Sequence, residues 1–194
     1  MVQTDISSES KDQDEQLKVF RFTDPETLVS NLGIEDGNVV ADFGCASGFF
    51  SLPIAKKIGE EGVVYALDIL PQSLELIISQ AKTAGLNNII AKRVNLEKEG
   101  GSKLPDESCD WVIMKNMLFQ NRDKLVILAE ARRVLKVGGK ALIIEWGMHN
   151  SAIGPDKNLR ISEEALTEII QKAGLKVLNK IPVSNFHYGF VVIK

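Results

Sequence analysis

Val39-Val40-Ala41-Asp42-Phe43-Gly44-Cys45-Ala46-Ser47-Gly48 is the stretch whose reading decides the fold. Residues 39–43 are too short and too β-branched for a helix, and read as a buried strand. Gly44 to Gly48 is a loop of small residues. Phe49 to Ile58 then reads as a helix, ended by Gly59 to Gly62. A strand, a tight loop and a helix in this order form the unit that places ligands at the carboxyl edge of a doubly wound sheet.

Working outward, the same alternation continues. Upstream, Thr23 or Asp24 caps a helix that has Pro25 in its first turn and runs to about Leu32. Downstream, Val63–Asp68 is a second strand and Ser73–Ala84 a helix with Gly85 at its C-cap. Asn88–Asn95 and Cys109–Lys115 are the third and fourth strands. Asp123–Leu135 is a helix with Arg132 and Arg133 in its last turns, favourable against the dipole. Val137-Gly138-Gly139 reads as a turn and Lys140–Trp146 as the fifth strand. Ser162 opens a helix ending at Gly174. Leu175–Val183 and Tyr188–Ile193 follow with no helix between them, so they form a hairpin and the final strand runs antiparallel. The expected fold is α/β: a three-layer αβα, doubly wound, mostly parallel seven-stranded sheet with an antiparallel last strand.

Composition agrees with a single soluble domain. Of 194 residues, 44% are hydrophobic and 25% charged, enough to build a core without disulfides or a structural metal. The two cysteines, Cys45 and Cys109, sit in no CxxC or Cys/His cluster, so neither a disulfide framework nor a metal site is expected. The formal charge of −3 argues against a strongly basic nucleic-acid binder, while leaving a local basic patch open. No apolar run is long enough for a membrane span. No charged n-region followed by an apolar h-region opens the chain, so a cytoplasmic location is expected. Residues 1–16 hold five acids against Lys11 and few apolar side chains, which predicts a disordered acidic tail. The working domain is then 17–194. Within it, the alternating apolar segment 17–22 is expected to fold over the ligand as a lid, with Phe20 or Phe22 excluding water.

The chemistry of the loop separates two ligands. A nicotinamide dinucleotide wants GxGxxG, but here the second glycine falls at Ala46 and the third at Phe49. Asp42 stands two residues before Gly44, and an acid there suits a ligand with a cationic end. Small residues at Gly44, Cys45, Ala46 and Gly48 let the backbone approach that ligand closely. Asp68 ends the second strand, where a carboxylate can accept both hydrogen bonds of a ribose diol. Ile69 follows, suited to packing on a base.

Asp42-Phe43-Gly44-Cys45-Ala46-Ser47-Gly48 resembles motif I, D/E-x-G-x-G-x-G, of the class I S-adenosylmethionine-dependent methyltransferases. Asp110 to Gln120 looks like the family's D-x-V-x-x-x-N-x-L-H-H segment, with Phe119 and Gln120 in place of its histidines. Glu130 to Trp146 resembles the helix, L-K-P-G-G turn and fifth strand of the family, with Val137 in place of the proline. The resemblance covers roughly residues 25–194. It implies S-adenosylmethionine as cofactor, held by Asp42, Gly44, Cys45, Ala46, Gly48, Asp68, Ile69, Asn95, Leu96 and Asn116. Asn95 stands where an Asp of the family often bonds the adenine amino group, and the Leu96 amide would serve the ring. Metal is not implied.

Methyl transfer from a sulfonium needs alignment, exclusion of water and, for some acceptors, a base. Candidate catalytic groups are His149, in the loop after the fifth strand, His187, in the final hairpin, and Lys115, at the end of the fourth strand; Glu145 is a further candidate base. Lys115 turned inward would bind an anionic acceptor; turned outward it is a solvated lysine. No inserted substrate domain is visible, so a small-molecule acceptor is expected, as in the quinone-ring C-methyltransferases of the family. The arsenite methyltransferases are less similar, since their chemistry uses several cysteines. A protein or RNA acceptor, or a noncatalytic S-adenosylmethionine-binding module, stays open, as does the oligomeric state.

Overall fold

The computed structural model describes residues 24–194. The expected tail over 1–16, the lid over 17–22 and Thr23 lie outside the described residues. Among these residues, seven strands form one sheet: β1 (Val39–Phe43), β2 (Val63–Asp68), β3 (Ile89–Arg93), β4 (Cys109–Lys115), β5 (Leu135–Trp146), β6 (Lys176–Ser184) and β7 (His187–Ile193). Among the described residues, five α-helices cover it: α1 (Pro25–Asn31), α2 (Ser51–Lys57), α3 (Pro71–Thr83), α4 (Lys124–Val134) and α5 (Glu163–Lys172).

The strand order is β3-β2-β1-β4-β5-β7-β6, with β7 antiparallel to both β5 and β6. The expected sheet, including its reversed last strand, is the one present. The chain winds outward from β1 to β3 and returns to lay β4 beside β1. That reversal opens a crevice at the carboxyl ends of β1 and β4, where ligands of open α/β sheets bind.

The pleat sorts the core into two layers, because successive side chains face opposite sides. Ala41, Phe43, Val112 and Met114 pack with Ile127, Leu128, Leu166 and Ile170 of α4 and α5. Val40, Val64, Trp111 and Ile113 pack with Val29, Ile54 and Ile58 beneath α1 and α2. Each fully buried Ile or Leu of this kind contributes about 1.5–3 kcal/mol.

Local chemistry explains the helix starts. The Asp24 side chain accepts from the Glu26 amide ahead of Pro25, and Ser162 accepts from the Ala165 amide. Helix α3 begins at Pro71, two residues before the expected Ser73, because the fixed φ of proline suits the first helical position. Two other boundaries differ from expectation. Strand β3 stops at Arg93, leaving Asn95 in the following loop. Val137-Gly138-Gly139 does not end β5; it is an irregularity inside that strand, between the Cys109–Leu135 and Trp111–Lys140 pairings, with Gly138 at φ +77°. A left-handed glycine turns the chain there without ending the ladder.

Candidate active site

The loop after β1 is bound to its neighbour strand. The Gly44 and Cys45 amides both donate to the Leu67 carbonyl, at 2.8 and 3.1 Å. Gly44, Ala46 and Gly48 all have positive φ, at +69°, +46° and +83°. Glycine tolerates that region, whereas Ala46 carries strain. A Cβ on Gly48 would lie 2.8 Å from Ile77, and one on Gly44 3.3 Å from Met117. The glycines therefore also let the loop lie flush against α3 and the segment after β4.

Asp68 staples this loop to β2. Its Oδ2 accepts from the Ala46 amide at 3.0 Å and its Oδ1 from the Leu70 amide at 2.9 Å. Two of roughly four lone-pair sites remain for a ligand. Asp42 is 3% exposed and accepts from the Ser51 hydroxyl at 2.6 Å, so it anchors the first residue of α2 rather than the loop amides. Burial pushes its carboxyl up from 3.8 to about 6; the Ser51 hydrogen bond opposes this and the neighbouring Asp68 adds to it.

A cleft of about 450 Å³ opens between these groups and the segment after β4. Gly44, Ala46, Asp68, Ile69, Asn95, Leu96, Lys115 and Asn116 all line it. The Asn95 side-chain oxygen already accepts from the Glu97 amide at 3.0 Å, which closes a local turn. Of the residues expected to hold the cofactor, Asp42, Cys45 and Gly48 are not in the lining. The Cys45 side chain packs with Ala66, Leu74 and Ile77, and burial pushes its thiol far up, so it offers no thiolate.

The cleft meets a second cavity through one hydrogen bond. Asn116 stands at φ +52°, with its amide donating to the Ile144 carbonyl at 2.8 Å. Its side-chain nitrogen lies 2.9 Å from His187 Nε2, and His187 Nδ1 lies 3.0 Å from the Ser184 hydroxyl. With the amide so oriented, the proton sits on Nδ1 and Nε2 accepts. The Trp146 ring lies against His187 at 4.1 Å between centroids. Burial lowers the His187 pKa to about 4, with Lys115, Arg160 and His149 adding to the shift. The ring is therefore neutral at pH 7. Beyond it, a cavity of about 630 Å³ is lined by His187, Ser184, Val183, Ile181, His149 and Tyr188, among others. His149 is exposed and belongs to this cavity, not to the cleft.

Lys115 faces inward, with its Nζ 4.6 Å from the centre of the Phe49 ring. Burial lowers its pKa, and the charges of Asp42 and Glu145 oppose that. Glu145 is 1% exposed; its Oε1 accepts from the Leu118 amide at 2.8 Å, while Oε2 has no hydrogen-bond partner. Burial raises this carboxyl from 4.5 to about 7, against the backbone donors of Leu118, Phe119 and Trp146. Glu145 thus ties the Leu118–Gln120 turn, on the rim of the cleft, to the end of β5.

Sequence reading did not find Ser51, Ser184 or Trp146 as members of this arrangement. Ser51 has a signal in hindsight, since a hydroxyl at the start of the helix after the loop is placed to reach the acid at the strand end. Ser184 and Trp146 have none, because their roles depend on the β5–β7–β6 pairing, which sets Trp146 and Ser184 on either side of His187.

A methyltransferase-domain family matches residues 34–179 of this chain. The chain belongs to the class I S-adenosylmethionine-dependent methyltransferase family. A S-adenosylmethionine-dependent methyltransferase from Aquifex aeolicus has the same fold at a TM-score of 0.81, with 26% identity, covering 98% of this chain and 99% of that one. A type 11 methyltransferase from Sulfolobus solfataricus, described as putative in its structure report, gives a TM-score of 0.73 at 22% identity, over 90% of this chain and 94% of that one, which supports the fold alone. Demethylmenaquinone methyltransferase of Staphylococcus aureus (strain JH9) is 32% identical over 133 residues, 68% of this chain and 51% of that protein. The chain therefore spans about half the length of the curated relatives it matches.

Proposed function

We propose that this chain transfers a methyl group from S-adenosylmethionine to a small-molecule acceptor. The observation that carries the reading is the junction of two cavities at the Asn116–His187 hydrogen bond, 2.9 Å long, at the sheet's reversal point. The donor set fits the cofactor. Asp68 keeps lone pairs for a ribose diol, and Ile69 and Leu96 flank the place for a base. Asp68 and Glu97 are the acids that line the cleft, and they favour a cationic ligand. When bound, S-adenosylmethionine supplies an electrophilic methyl group on a sulfonium.

The residues of this chain then supply alignment and a dry path. Gly44 and Ala46 let the backbone approach, and Asp68 fixes the loop that carries them. Asn116 and His187 form the wall through which cofactor and acceptor meet. His187, neutral and tethered by Ser184, positions Asn116 and is a weak base at neutral pH. That favours an acceptor that reacts through a lone pair or ionises by itself. The adjoining cavity, about 630 Å³, is of the size that holds a small molecule. The relative named for demethylmenaquinone adds support for a small ring-bearing acceptor. The absence of a long apolar helix among the described residues leaves the chain with no helical membrane span there.

Calorimetric titration tests the reading. Binding of S-adenosylmethionine with no binding of NAD supports it, and the reverse overturns it. Transfer of labelled methyl groups into low-molecular-weight extract fractions, rather than into protein or RNA, tests the acceptor class.

A further inference from the structure

We propose that Lys115 is the anchor for the amino-acid end of the cofactor, forming an ion pair with the α-carboxylate of the methionine half of S-adenosylmethionine. This rests on the reading of the cleft given above and assigns one of its residues a specific partner. Lys115 is the one cationic side chain that lines the cleft among the described residues. Its ammonium makes no hydrogen bond or salt bridge there, and rests over the Phe49 ring at 4.6 Å. A half-buried ammonium with three unused donors is costly to hold without an acceptor.

The neighbouring acids do not supply that acceptor, because none of them forms a hydrogen bond or salt bridge with Lys115; each is turned to a donor elsewhere. Asp42 accepts from Ser51, Asp68 from Ala46 and Leu70, and Glu145 from Leu118. A zwitterionic ligand answers both needs, its ammonium towards the acids and its carboxylate towards Lys115. The strand order gives the scale. β3, β2, β1 and β4 lie side by side, so Asn95, Asp68, Gly44 and Lys115 mark successive stations at the sheet edge. At about 4.8 Å per strand, the first and last are roughly 14 Å apart, the reach of an extended nucleoside joined to an amino acid. No other cation lines the cleft among the described residues, and Lys115 stands at the far end of it. An anionic acceptor is the competing partner. Lys115 lines the cleft, however, and not the cavity beyond His187 where an acceptor would lie.

Calorimetry separates these without knowing the acceptor. The probes are S-adenosylmethionine and its decarboxylated analogue, each titrated into wild type, Lys115→Met and Lys115→Arg. Wild type is expected to bind the intact cofactor roughly 10- to 100-fold more tightly than the analogue. Lys115→Met should lose that difference, weakening the intact cofactor by the same factor and leaving the analogue within about twofold. Lys115→Arg should keep most of it. Equal affinity of wild type for both probes overturns the assignment while leaving the cofactor reading intact. So does a Lys115→Met loss that is the same for both. Failure of wild type to bind either probe overturns the cofactor reading and this assignment together. Thermal melts of each variant confirm that the comparison is between folded proteins.

Discussion

The two halves of the sheet's carboxyl edge are built by different means. On the β1–β2 side, function-bearing groups are close in sequence and held by backbone. The loop amides bond to Leu67, and Asp68 bonds to Ala46 across 22 residues. On the β5–β7 side, the groups come from distant parts of the chain and are held by side chains. Asn116 and His187 are joined side chain to side chain across 71 residues, and His187 in turn bonds the Ser184 hydroxyl. On the function proposed above, the first half is the fixed receptor for the cofactor. On the same proposal, the second is a wall that faces the acceptor. Backbone geometry is insensitive to most substitutions, whereas a side-chain network changes with a single residue, so specificity is expected to reside in the second half.

The strongest way to break this contrast is Asp68→Ala. It removes the proposed ribose acceptor and leaves the Ala46 and Leu70 amides without the Asp68 carboxylate. S-adenosylmethionine affinity should fall by more than about 100-fold, with about 1–3 kcal/mol of stability lost, measured by calorimetry and denaturant unfolding. Retained affinity would remove Asp68 from the cofactor side.

Glu145 gives the next largest effect, and it is a pH effect. Its folded pKa, about 7, lies above the ordinary 4.5. The neutral carboxyl is therefore the form the fold favours, and its contribution to stability is complete below about pH 4.5. That contribution is lost as pH rises through about 7. At roughly 1.4 kcal/mol per pKa unit, wild type should lose about 3 kcal/mol from this group between pH 4.5 and 8. Glu145→Gln keeps an oxygen for the Leu118 amide and cannot ionise. Its stability advantage over wild type should grow across that pH window in parallel unfolding curves. A difference that stays constant with pH would show the carboxyl titrating normally.

His187→Ala sharpens the contrast from the other side. Cofactor affinity should stay within about threefold of wild type while labelled methyl transfer falls about tenfold, roughly 1.4 kcal/mol in the barrier. A variant that loses cofactor affinity instead would place His187 with the first half. The smallest effect is expected at Ala46. Its φ of +46° suits glycine, so Ala46→Gly should raise stability by about 0.5–1 kcal/mol in thermal melts and leave cofactor affinity unchanged.

What was legible in the sequence divides along the same line. The loop from Asp42 to Gly48 was readable because strand, turn and helix signals are local, and because positive φ and close approach both demand small residues in sequence order. The reversed last strand was readable because no helix separates β6 from β7. Asn95 was legible as a member of the cleft, but not the engagement of its oxygen by Glu97, because turn closure competes locally with ligand binding. The sequence likewise marked His149 and His187 as equals, and the tertiary structure separated them. The β5–β7 register sets His187 against Trp146 and Asn116, while His149 stays on an exposed loop.

By itself the sequence determined the architecture, the family resemblance and the acid at the end of β2 that lines the cleft, since strand and helix periodicity and the small-residue loop are short-range properties. Only the tertiary structure decided that Lys115 turns inward over Phe49, that Glu145 is a buried brace with a raised pKa, and that a neutral His187 closes the wall between two cavities. Those outcomes depend on burial and on contacts between strands far apart in the chain, which no local pattern of residues encodes.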